Sequence, residues 1–127
     1  MNDKLLILDL DETLIHASSA ALERAPDFMV GDFHVYARPR AHEFVSFCRL
    51  HFRVAVWTSA SESYARAMTD RLLGSDYPLE FLWTRERCTA VYDPGSQTRE
   101  WVKDLKKVRR RGYSLDRVLM VDDTPKT

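Results

Sequence analysis

The sequence predicts an α/β fold: a mostly parallel sheet with helices on both faces and a small β-hairpin inserted after the first strand. Three observations predict it. Apolar runs at Lys4–Leu10, Arg53–Thr58, Glu80–Trp83 and Arg117–Val121 are each too short for a core helix and rich in β-branched or bulky residues. Stretches with helical spacing lie between them, and strands alternating with helices of this length pack as a parallel sheet covered on both sides. Between Leu14 and Arg40 the alternation fails, and "DFMVGDFHVYARP" offers two strand-like pieces around Gly31-Asp32, a hairpin candidate.

The first run, in "LLILDLDETLIH", ends in two carboxylates one residue apart, Asp9 and Asp11. In an extended chain such residues face the same side roughly 6–7 Å apart, so both anions would enter one small space and need compensation. Next, Arg40–His51 sets Phe44, Phe47, Cys48 and His51 on one helical face, with Pro39 suited to the first turn. After the second strand, Ser59 followed three residues later by Glu62 reads as a capping box. Tyr64, Met68 and Leu72 then repeat every four residues until Gly74 stops the helix. A third helix is expected over Glu100–Arg111, aligning Trp101, Leu105 and Val108 and ending at Gly112. Its solvated face would carry Lys106, Lys107, Arg109, Arg110 and Arg111.

A length of 127 residues suits one domain with one core, and 45% hydrophobic with 30% charged residues excludes a mostly disordered chain. Lys plus Arg equals Asp plus Glu at 19 each, so nothing steers the molecule as a whole toward nucleic acid or an anionic membrane. Neither partner is expected. The apolar run Leu5–Leu8 is far too short to span a bilayer and Asp9 interrupts any secretory segment, so a cytoplasmic or nuclear location is expected. Cys48 and Cys88 have no metal-ligand spacing to a histidine and read as reduced thiols, with Cys48 packed on its helix.

Open parallel sheets bind ligands beyond the carboxyl ends of their strands. Here those ends deliver Asp9 and Asp11, then Thr58 and Ser59, then Asp122 and Asp123. Carboxylates with a hydroxyl on one rim suit a hard divalent cation, and Mg²⁺ favours one or two carboxylates, waters and a phosphate. One aspartate can then attack phosphorus while the other passes a proton to the leaving oxygen and later takes one from water. Thr58 and the following amides suit phosphate oxygens, and Lys103 supplies a further cation. Each residue also has a plain structural use: aspartates after strands form turns, Thr58 or Ser59 can cap a helix, and Lys103 or Arg85 can be solvated charges. His16, His34, His42 and His51 share no spacing, and Trp57, Trp83 and Trp101 fit core or rim packing.

These residues resemble the haloacid dehalogenase superfamily of phosphotransferases, with its Rossmann-like sheet. "DLDETL" fits the D-x-D-x-T signature, "VAVWTSAS" the strand-ending Thr/Ser motif, "WVKDL" the lysine motif and "LMVDDTP" the acidic motif. More narrowly, "DLDETLIH", "RPRAHEF", "TSASESYA", "TRERC", "VKDL" and "VDDTP", in this order, look like the small C-terminal-domain phosphatase branch, which removes phosphate from Ser/Thr in proteins. The resemblance implies Asp9 as nucleophile and Asp11 as general acid/base. It also implies a Mg²⁺ site from Asp9, the Asp11 carbonyl and Asp122, with Asp123 supporting it where many relatives carry Asn. Thr58, Ser59, Lys103 and Arg85 would bind substrate phosphate, and Thr13 would steady the loop. The substrate would be a protein or peptide phosphorylated on Ser or Thr; a small phosphomonoester, or a silent binding module that kept the fold, are the alternatives. Residues 1–127 are expected to form one such domain, with 14–40 as the insertion. Relatives continue past "DDTP" through another strand and a helix, so truncation at Thr127 is expected.

Overall fold

A computed structural model describes residues 4–122. A four-stranded parallel sheet holds β1 (Leu5–Leu8), β5 (Arg53–Trp57), β6 (Leu82–Trp83) and β9 (Val118–Val121) in the order β6-β5-β1-β9. All four strand runs read from the sequence are there. β1 pairs with β5 on one side and β9 on the other, aligning Leu8 with Val56 and with Val121. The chain winds outward from β1 through β5 to β6, then crosses back to β9. The carboxyl end of β1 is therefore the switch point at which a crevice opens.

Every residue of β1 is buried, because both faces of the sheet are covered. Leu6 and Leu8 pack with Val54 and Val56 against α1 (Ala41–His51) and α2 (Glu62–Leu73), through Ala41, Val45, Cys48, Ala65, Met68 and Leu72. Leu5 and Ile7 face the other way, with Ala55, Trp57, Phe81, Trp83 and Val108 of the short helix α3 (Lys106–Arg110). Cys48 and Cys88 are free and buried.

Residues 14–40 form β2 (Ile15–Ser18), β3 (Phe28–Val30) and β4 (Phe33–Ala37), an antiparallel sheet in the order β2-β4-β3. Gly31 takes φ +57° in the predicted two-residue turn, and Val30 pairs with Phe33 across it. None of the described helices is long and apolar enough to cross a membrane.

Four expectations are corrected. The helix expected over Glu100–Arg111 is instead a strand, β8 (Thr98–Val102), followed by α3. β8 pairs with β7 (Thr89–Asp93) around the turn Pro94–Gln97. Asp93 fixes that turn by accepting the Gly95 N–H at 3.0 Å and the Ser96 hydroxyl at 3.1 Å, a local closure that outcompetes the helical spacing of Trp101, Leu105 and Val108. On α1 the buried stripe is Ala41, Val45 and Cys48, while Phe44, Phe47 and Leu50 are exposed; the Phe47 ring lies 4.3 Å from His51. Pro39 precedes that helix rather than opening it, because Arg40 is the N-cap at φ 66°. The N-cap of α2 is Ser61, not Ser59, since the chain stays extended to φ −66°, ψ 159° there, and its side chain makes no capping hydrogen bond.

Candidate active site

Asp9 lies one residue beyond β1 and is 8% exposed. Its N–H still bonds the Val121 carbonyl at 3.1 Å, so the backbone remains tied to β9. The side chain accepts the Leu10 N–H at 2.8 Å and faces the Lys103 ammonium at 3.1 Å. The same ammonium reaches Asp122 Oδ2 at 2.5 Å. One buried lysine thus bridges the carboxylates that follow β1 and β9.

Burial pushes the Asp9 pKa up to about 7; Lys103 opposes the rise and the charge of Asp122 adds to it. Lys103 is itself buried, in the loop between β8 and α3 rather than in the helix the sequence suggested. The β7–β8 hairpin displaces that helix and hands the lysine to the sheet's rim.

Past Asp9 the chain turns sharply. The N–H groups of Thr13, Leu14 and Ile15 all converge on the Leu10 carbonyl, and Glu12 sits at φ 64° with its N–H on the Ile15 carbonyl. Arg38 clamps this turn from β4's end: its own N–H bonds Leu14, its Nε bonds the Thr13 carbonyl at 2.7 Å, and a terminal N–H reaches the Glu12 carbonyl at 3.3 Å. Thr13 contributes to the loop through its backbone, and its buried hydroxyl has no hydrogen-bond partner among the described residues. Asp11 takes a different partner from Asp9. The Tyr64 hydroxyl of α2 donates to Asp11 Oδ1 at 3.0 Å. Burial, then the adjacent Asp11 charge, raises the Tyr64 pKa far above that of a free phenol, so it keeps its proton and remains a donor.

Thr58 follows β5, whose neighbour in the sheet is β1, and it is fully buried. Its Oγ1 accepts the Ala60 N–H at 3.1 Å, which leaves the hydroxyl proton to donate elsewhere. Ser59 is exposed and takes part through its carbonyl, which accepts Arg85 Nε at 2.9 Å. Arg85 opens a 3-10 turn at the rim, its guanidinium 5.7 Å from the centre of the exposed Trp101 ring. Asp9, Asp122 and Lys103 are therefore in direct contact, Thr58 ends the adjoining strand, and Arg85 and Ser59 form its outer edge. Asp123 lies outside the described residues.

Tyr64 and Arg38 carry no site signal in the sequence. Tyr64 reads as one more apolar-periodic helix position, and Arg38 as a surface charge before a proline. Nothing in their local pattern separates them from packing residues.

A buried carboxylate at the switch point of a parallel sheet, with a lysine and a second strand-end carboxylate on it, is the arrangement that the haloacid dehalogenase-like resemblance leads one to expect. The chain belongs to the NLI interacting factor-like phosphatase family, whose model matches residues 4–127. It is 31% identical over 132 residues to the CTD small phosphatase-like protein 1 of Caenorhabditis elegans, covering 98% of this chain and 25% of that protein. It is also 31% identical over 137 residues to the CTD nuclear envelope phosphatase 1B of Danio rerio, covering 96% of this chain and 52% of the relative. The chain thus spans from a quarter to about half of the length of these relatives. Its fold matches fission yeast Fcp1, an RNA polymerase II CTD phosphatase solved as a variant bound to beryllium fluoride. The TM-score is 0.67 at 15% identity, over 95% of this chain and 37% of the other.

Proposed function

We propose that this chain is a Mg²⁺-dependent phosphomonoester hydrolase that works through an aspartyl-phosphate on Asp9 and acts on phosphoserine or phosphothreonine in proteins. The observation that carries the reading is the buried bridge Asp9–Lys103–Asp122 at the carboxyl end of the central strand. A fold gains nothing in stability from burying two carboxylates around one ammonium, so the arrangement calls for a use. Names of the relatives support the substrate class: they are phosphatases named for a CTD.

Asp9 and Asp122 suit a magnesium ion, because both carboxylates already converge on one cationic point. The two carboxylates and the Asp11 carbonyl would hold it, with Asp123 in support. Bound there, the ion would offset the charge of the carboxylates and of the incoming phosphate.

The chain's own residues supply the rest. The Asp9 carboxylate attacks phosphorus in line; its new O–P bond forms as the bond to the serine or threonine oxygen breaks. Asp11 gives its proton to that departing oxygen, then takes one from the water that attacks the aspartyl-phosphate and frees inorganic phosphate. The Thr58 hydroxyl and the Lys103 ammonium hold the equatorial oxygens, where charge is spread during transfer. Arg85, anchored on Ser59, would meet the phosphate from the rim.

The test is hydrolysis of an aryl phosphate and of a phosphopeptide panel, with and without Mg²⁺, by the wild type and by Asp9→Asn. Turnover should need the metal and fall about a thousandfold or more in the variant. Turnover indifferent to both would reject the mechanism. A preference for sugar phosphates would make the chain a small-molecule phosphatase, and a metal-binding protein without turnover would be a binding module.

A further inference from the structure

We infer that Tyr64 is a positioning residue for the proton transfer assigned to Asp11, an inference that rests on the phosphatase reading. Tyr64 stands in the first turn of α2, and its hydroxyl crosses to the turn after β1 to donate to Asp11 Oδ1 at 3.0 Å. The ring is held on its other side by Phe33 of the β3–β4 hairpin, edge to face at 5.7 Å between centroids. It is half-buried against the core that α2 shares with β1. Tyrosine is therefore a fixed donor between three elements: the helix that follows the phosphate-binding strand, the inserted hairpin and the catalytic turn.

A carboxyl has two oxygens, and a proton can sit on either. With the phenol donating to Oδ1, that oxygen is engaged as an acceptor, so the transferable proton of Asp11 belongs on Oδ2. Tyr64 thereby selects which oxygen serves the leaving group and limits rotation of the carboxyl about its bond. Asp11 is half-buried, less enclosed than Asp9, and the Tyr64 hydrogen bond restrains the direction of its proton. Orienting a proton matters most when the departing oxygen is a poor leaving group. An alkoxide from serine or threonine must be protonated as it leaves, whereas a nitrophenolate departs without help.

The experiment compares wild type, Tyr64→Phe, Asp11→Asn and the double variant on a phosphoserine peptide and on p-nitrophenyl phosphate. Phe keeps the ring packed on Phe33, so the fold survives. We expect Tyr64→Phe to lower kcat at least tenfold on the phosphopeptide and less than threefold on the aryl ester. In the Asp11→Asn background the same substitution should cost nothing further on the phosphopeptide. A structural role would lower both substrates in parallel and would add to the Asp11 loss; either result overturns the inference while leaving the phosphatase reading standing. Wild type inert on both substrates would overturn the reading and the inference together.

Discussion

Asp9 bears an electrostatic cost of burial, and its direction with pH follows from its environment. Burial raises its pKa from 3.8 to about 7 in the folded chain. Between those values the folded state holds a proton that the unfolded state has released, so stability falls as pH rises through the window and stays low above it. Asp9→Asn removes that penalty. In metal-free buffer the variant should gain stability over wild type from pH 5 to pH 8, read by denaturant unfolding at the two pH values. Lys103→Met acts in the opposite sense, because it leaves Asp9 and Asp122 buried without the ammonium that both touch. Removing one partner of a buried pair costs about 3–5 kcal/mol. The loss should be larger at pH 8 than at pH 5, where Asp9 can hold its proton; equal losses would assign the lysine to packing alone.

The turn between β1 and β2 is the element on which the proposed chemistry stands, and Arg38 is its clamp. Three hydrogen bonds from this one residue reach the carbonyls of Glu12, Thr13 and Leu14. The two made by the side chain are charge-assisted, each of a kind that contributes about 1.5–3 kcal/mol. Arg38 is exposed, so solvent compensates part of what is lost on truncation. Arg38→Ala should therefore cost about 1–2 kcal/mol in stability. It should also speed amide hydrogen exchange at residues 12–15 while leaving β1 and β5 protected. Faster exchange throughout the sheet would show that the clamp supports the whole fold rather than its turn. The β7–β8 hairpin plays the corresponding part for Lys103: it ends at Val102, and the lysine follows at once.

For the whole molecule, the two cores are joined through β1, whose alternate residues enter opposite faces of the sheet. A ligand that binds only the folded chain at the end of β1 should thus raise the melting temperature of the entire unit. Mg²⁺ at a hundred times its dissociation constant adds about 2.7 kcal/mol. The shift should exceed several degrees at pH 8, shrink at pH 5, and largely disappear in Asp122→Asn, as read by thermal melting with and without chelator. An undiminished shift in that variant would place the ion elsewhere. Much of this architecture was readable beforehand. The short apolar runs of β1, β5, β6 and β9, the Gly31-Asp32 hairpin and the acidic and hydroxyl residues at strand ends are local patterns, set by backbone geometry and side-chain burial within a few residues of one another. The β7–β8 hairpin was legible too, from "DPGSQ" between alternating residues, but the helical spacing of Trp101, Leu105 and Val108 masked it. Which face of α1 is buried, the placing of Lys103 on Asp9 and Asp122, and the Tyr64–Asp11 contact across 53 positions of sequence were not local. They depend on how distant segments pack, and a buried lysine or a donating tyrosine has the same sequence signature as a solvated or apolar one until its neighbours are in place.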